Sequence, residues 1–259
     1  MKSIFAIAGV VILEMYRRKE FYVLFILTIV ICLVMGSINI FNQAQVIRWI
    51  KEICLLLIWI SSLIIAITTT ARQIPAEREQ RTLLPLLAKP LSRNQLIVGK
   101  FLGCWIVSGL VLLCFYIFFG ALAASREHQL PLVDYVQAAF LHWMALGVVV
   151  SLSLLGSLVF AAPSSNSTIC FALIATILCL GRYLDKVALS FQDPGRTIVY
   201  SIYYAIPHLE IPFDMRNRLV HDWPSVAWKY VGLDALYLLA YAAFFLTAAC
   251  LVFRKKAVN

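Results

Sequence analysis

Six stretches of this chain are apolar, free of proline and long enough to cross a lipid bilayer: residues 21–40, 53–70, 96–122, 136–162, 168–184 and 230–253. A helix needs about 20 apolar residues to span the hydrocarbon core. No water is present there to satisfy a free N–H or C=O, so each stretch must pair its own backbone groups, as a helix does. All nine prolines fall between the stretches, at positions 75, 85, 90, 131, 163, 194, 207, 212 and 224, where a missing N–H breaks no helix. Composition agrees. Hydrophobic residues make up 62% of the 259 and charged residues 14%, against about 45–50% and about 25% in a soluble domain. Lipid must solvate the excess. The expected fold is an all-α integral membrane protein of six transmembrane helices, with residues 1–259 forming one domain.

The first apolar stretch, residues 4–13, follows Lys2 like the start of a signal peptide. No small-residue cleavage site comes after it; the chain continues Glu14, Met15, Tyr16, Arg17, Arg18, Lys19, so a cleaved signal is not expected. The stretch is also too short to span. Residues 1–20 are expected to form an interfacial helix that feeds the first span.

Charge sets the direction. With the N-terminus in the cytoplasm, the inside segments hold 13 basic residues and four acidic ones (Glu14, Glu20, Glu77 and Glu79), leaving nine of each outside, so the whole net charge of +9 lies on one side. That is the positive-inside pattern, and it places both termini in the cytoplasm. The basic residues flank spans and form no stripe, so no nucleic-acid partner is expected. Trp49, His142, Trp143, Tyr200, Tyr203, Tyr204, Trp223, Trp228 and Tyr230 gather near the outer ends as an interfacial belt. Residues 185–229 form a long outer loop in which 196–205 and 213–222 fit short helices lying on the membrane.

Several polar residues invite a site. Asp234 lies just inside the last span, and an acid there is a functional candidate, although it is about one turn from Lys229 and the wet interface. His208, Glu210, Asp214, His221 and Asp222 share the outer loop without close ligand spacing, so no metal is expected. The seven cysteines lie inside apolar runs without CxxC spacing and read as packers, not disulfides or ligands. Gly147, Ser151, Ser153 and Ser157 fit close helix packing. Thr68, Thr69 and Thr70, near the inner end of the second span, fit a helix cap or hydrogen bonds to backbone.

One segment stands apart. Residues 75–93, between the second and third spans, carry Glu77, Arg78, Glu79, Arg81, Lys89 and Arg93 among leucines and prolines. Pro75 suits the first turn of a helix, and Glu77 and Glu79 suit its positive end. Two readings follow: an amphipathic turn on anionic lipid, or a helix that docks a soluble protein. Just beyond, Gly99-xxx-Gly103 permits close packing of the third span on a neighbour.

The residues of this segment resemble those of the membrane subunits of type-2 ABC exporters. The matching positions are Glu77-Arg78-Glu79, Thr82-Leu83, Leu86-Leu87, Pro90-x-Ser92-Arg93 and Gly99-Lys100; Arg81 stands where that family usually has Gly. The resemblance implies a permease domain that pairs with a second permease subunit, identical or not, above two ABC ATPase subunits. It implies that 75–93 is the coupling segment, with Glu77, Arg78, Glu79, Arg81, Thr82, Leu83, Leu86, Leu87 and Arg93 facing the ATPase. It also implies a bacterial inner-membrane location. This chain has no GxxxxGK[ST] loop, so it is not expected to be an enzyme or to hold a cofactor; ATP and Mg belong on the partner ATPase. The competing classes are an integral membrane enzyme, which needs convergent polar groups on neighbouring helices, and a secondary transporter, which needs internal repeats and broken spans.

Overall fold

The structure, a computed structural model, describes residues 2–17, 19–37, 43–79, 92–127, 132–221 and 223–255. Within them the chain is helical: α1 (Lys2–Tyr16), α2 (Lys19–Ser37), α3 (Gln43–Ala71), α4 (Pro75–Glu79), α5 (Arg93–Glu127), α6 (Leu132–Val159), α7 (Pro163–Ala188), α8 (Gly195–Ala205), α9 (Ile211–His221) and α10 (Trp228–Lys255). Among the described residues, five helical stretches are long and apolar enough to cross a membrane: Arg48–Glu79, Arg93–Ser125, Leu132–Val159, Pro163–Gly181 and Trp228–Lys255. In α2 the apolar stretch Phe25–Val34 is shorter. Large apolar side chains face outward along these helices, among them Ile26, Val30 and Leu33 on α2, Leu113 and Ile117 on α5, and Leu236, Phe244 and Leu251 on α10. A surface this apolar needs lipid around it. The chain is an all-α, multi-pass integral membrane protein.

Helix starts follow local chemistry. Ser92 and Gln95 form a reciprocal box at the head of α5: the Gln95 N–H donates to Ser92 Oγ at 3.3 Å, and the Ser92 N–H to Gln95 Oε1 at 3.0 Å. Two N–H groups that the helix cannot satisfy are thereby paired. Pro75 opens α4 and Pro163 opens α7, the position where proline costs no hydrogen bond. Thr68 and Thr70 return their hydroxyls to Ile64 O and Ala66 O, both at 2.7 Å, as expected, whereas Thr69 donates to Met15 Sδ of α1 at 3.7 Å instead of to its own backbone.

α6 is the centre of the bundle. Leu141, Leu146, Val150, Leu154 and Leu158 on it are all at most 1% exposed. α10 lies along it most extensively, and α3, α5, α7 and α9 also touch it. Its small residues do what small residues do between membrane helices: Gly147, Ser151, Ser153 and Ser157 are all buried. The α5–α6 contact is a reciprocal pair of tryptophans. Trp105 Nε1 donates to Trp143 O at 2.9 Å, Trp143 Nε1 donates to Trp105 O at 3.1 Å, and the rings stack at 4.9 Å. Each indole lies over a glycine of the opposite helix, Gly147 under Trp105 and Gly109 under Trp143.

Two expectations change. His142 and Trp143 do not belong to the outer belt. His142 is 3% exposed, its Nε2 is hydrogen-bonded with Ser62 Oγ at 3.0 Å, and it meets the Tyr116 ring edge-on. Packing by α3 and α5 over this face of α6 takes both residues out of the interface. Trp49, Tyr204, Trp223, Trp228 and Tyr230 remain exposed. The second change concerns α1. It does not merely lie in the interface, because Gly99 and Gly103 of α5 bring that helix against Ile4, Ile7, Ala8 and Val11. The close-packing pair finds its neighbour there.

At the opposite end, α8 and α9 occupy the loop expected to hold two short helices. α9 packs on α3 and α6, and α8 on α7. Tyr237 and Tyr241 of α10 donate their hydroxyls to Ile206 O and Tyr204 O, at 3.4 and 3.2 Å. Cys32 and Cys54 are neighbours across α2 and α3, and all seven cysteines are free thiols.

Candidate functional site

The charged segment emerges where α3 ends and α5 begins, on the end of the bundle that also carries Arg72, Arg254 and Lys255. Glu77, Arg78 and Glu79 on α4, and Arg93 at the head of α5, are among the described residues; Arg81, Thr82, Leu83, Leu86 and Leu87 lie outside them. The four that are placed divide into two kinds.

Glu77 and Arg93 are tied to the bundle itself. Glu77 Oε1 lies 2.8 Å from Lys100 Nζ. Lys100 sits two turns into α5 and is 3% exposed. Its ammonium also donates to Gln73 O at 2.9 Å and to Gln73 Oε1 at 3.2 Å. Three donors therefore meet three acceptors, the full capacity of an ammonium group. Burial of a cation is tolerable only on such terms. The result fastens α4, and the turn that precedes it, to α5. Arg93 reaches a different helix: Nη1 donates to Phe253 O at 3.3 Å and to Arg254 O at 3.4 Å, and the guanidinium lies 5.9 Å from the centre of the Phe253 ring. Those carbonyls belong to the last described turn of α10, at the negative end of its dipole.

Arg78 and Glu79 are the outward pair. Glu79 is exposed and Arg78 partly so. Glu79 also edges a cleft of about 400 Å³ lined by Thr68, Arg72, Ala76, Pro163, Ser164 and Ser167. The α6–α7 turn thus stands opposite α4. This corner presents opposite charges and hydroxyls to water, which suits docking of a polar protein surface.

The other candidates are not brought together with it. Asp234 is half-buried in the second turn of α10, at the far end, with Asp214 of α9 nearby. His208 Nδ1 pairs with Glu210 Oε1 at 3.2 Å, and the imidazole lies between the rings of Tyr203 and Tyr237. His221 bonds the carbonyl of Asn217; Asp222 lies outside the described residues. Among the described residues no three His, Cys, Asp or Glu side chains converge as a metal site.

Lys100 carries a signal beyond its place in the motif. Lys100 is a lone lysine inside the first turns of an apolar run, and such a cation requires an acceptor nearby. Gln73 and Glu77 are the polar residues that the chain can bring there. The partner of Arg93, by contrast, is backbone, and backbone carbonyls leave no mark in a sequence.

Residues 53–258 match a protein-family model described as ABC-2 family transporter protein, a range that takes in most of α3 and everything from there to the end of α10, including the whole of 75–93. None of the curated proteins matches the chain.

Proposed function

The chain belongs to the ABC-2 transporter family and is an ABC transporter permease; from that premise we propose that it is one membrane-spanning half of an exporter, driven by a separate ABC ATPase. The observation that carries this reading is the corner at residues 72–100. An outward-facing charged pair, Arg78 and Glu79, stands on a helix whose neighbouring Glu77 is fastened to a span. A surface contact there has a rigid route into the bundle. ATP and Mg stay on the ATPase, whose closure shifts the 75–93 segment and tilts the spans. A second permease subunit completes the pathway. The chain crosses a bacterial inner membrane six times with both termini in the cytoplasm, the arrangement that puts the net charge of +9 inside.

Topology is checked by reporter fusion or cysteine accessibility at Asn42, Gln129, Ser165 and Asn217. Ser165 is expected to report the cytoplasm and the other three the outside; an outside signal at Ser165 breaks the arrangement.

Docking is checked at Glu79. Glu79→Lys is expected to reduce co-purification of the ATPase, and stimulated hydrolysis in proteoliposomes, at least tenfold. Like charges set against each other across an interface cost several kcal/mol, and tenfold is about 1.4 kcal/mol. If the segment only rested on anionic lipid, the same change would add about 1 kcal/mol of attraction. Unchanged capture and hydrolysis would remove Glu79 from the interface.

A further inference from the structure

We propose that Arg93 is the link through which movement of the 75–93 segment reaches α10: a positioning residue for the transport cycle, not a contact for the ATPase. The proposal rests on the coupling reading above.

Arg93 stands where a local rule disfavours it. It is the first residue of α5, and the positive end of a helix dipole repels a cation. The helix start does not need it, because Ser92 and Gln95 already complete the box there. The guanidinium instead crosses to the negative end of α10 and donates to two successive carbonyls, Phe253 O and Arg254 O. A planar group with several donors can bridge two carbonyls in this way. The contact is anchored on the far side too, since Phe253 is only 1% exposed.

What lies beyond the contact gives it consequence. α10 is a single helix from Trp228 to Lys255, about 40 Å long at 1.5 Å per residue. Val231, Ala235, Leu238, Ala242 and Ala249 are buried along it. In its first half and at its midpoint, Tyr237 and Tyr241 hold Ile206 and Tyr204, at the end of α8. A pull at Phe253 therefore arrives at the outer helices through one rod. The second tether, Glu77 to Lys100, returns to α5. Glu77 and Arg93 thus tie the described ends of the segment to two different spans.

The test compares Arg93→Ala and Arg93→Lys in complex with the ATPase that co-purifies with the wild-type chain. For Arg93→Ala, ATPase capture and the KM for ATP are expected to stay within twofold of wild type, while the permease-stimulated kcat falls at least tenfold. Arg93→Lys keeps at least a third of the kcat, because an ammonium still donates to those carbonyls. A kcat within twofold of wild type in Arg93→Ala overturns the proposal, as does loss of capture with normal turnover in the complexes that form. A second measurement needs no ATPase. The native Cys250 is half-buried on α10 one turn before Arg254. Its labelling by a membrane-permeant maleimide, followed by mass spectrometry in the permease alone, is expected to quicken at least threefold in Arg93→Ala and not in Arg93→Lys. Equal labelling overturns the link to α10 even if no ATPase is captured, an outcome that would by itself count only against the coupling reading.

Discussion

Lys100→Met is expected to lower the midpoint of thermal unfolding in detergent by about 6–12 °C. The ammonium is the shared partner of the Glu77 carboxylate, the Gln73 carbonyl and the Gln73 amide oxygen. Methionine fills similar space and donates nothing. Removing one member of a buried ion pair costs about 3–5 kcal/mol, because the other charge loses the partner that offset its burial. Glu77 keeps some access to water, with 21% of its side chain exposed, so the low end of that range applies. About 3 kcal/mol corresponds to about 6–12 °C for a chain of this size. The companion variant decides the cause. Glu77→Leu combined with Lys100→Met removes both charges, and replacing a whole buried pair with apolar groups is often neutral. The double variant is expected to regain more than half of the lost midpoint. If Lys100→Met melts within about 2 °C of wild type, or the double variant melts no higher than the single one, the clamp does not hold the corner together.

Gly109→Ala is the second large effect, from a substitution of one methyl group. A Cβ at Gly109 meets the indole of Trp143 at Nε1, Cδ1 and Cε2, closer than real carbon contacts come. That indole cannot step aside freely. It is stacked on Trp105 and held by its hydrogen bond to Trp105 O. Overpacking of this kind costs about 1–3 kcal/mol, and loss of the hydrogen bond adds about 1 kcal/mol. Gly120→Ala in the same helix is the control, because nothing lies within 4 Å of its added Cβ. There alanine gains about 0.5–1 kcal/mol through helix propensity. The two variants should therefore move the midpoint in opposite directions. A Gly109→Ala protein as stable as the Gly120→Ala protein would mean that α5 and α6 do not meet through these rings.

Five of the expected spans are plain in the sequence as long apolar helices, because length, hydropathy and proline placement are local properties. The sequence shows the 75–93 segment for the same reason: charge between apolar runs is visible wherever the chain goes afterwards. Which residues face each other is another matter. His142 beside Trp143 looks like an interfacial pair, and only the packing of α3 and α5 over α6 turns it into a core residue bonded to Ser62. The tryptophan pair did leave a trace, since Trp105 and Gly109, like Trp143 and Gly147, stand four apart and so share one helix face. Seen together, the two copies describe matching surfaces. In the candidate site, Glu77 and Arg93 are picked out by the motif as charged residues of a wet segment. Their fastening to α5 and α10 depends on where those helices end in space, and nothing local encodes it.

The two fastenings of that segment differ in when they can form. Lys100 follows Gln73 by 27 residues, whereas Arg93 precedes its acceptor carbonyl at Phe253 by 160. At a synthesis rate of about 5–20 residues per second, the second interval lasts about 8–32 s. During that time the first tether is already available and the second is not. A nascent chain thus carries its docking corner for many seconds with one end secured and the other loose, and it becomes mechanically whole only when its last helix has been made and inserted.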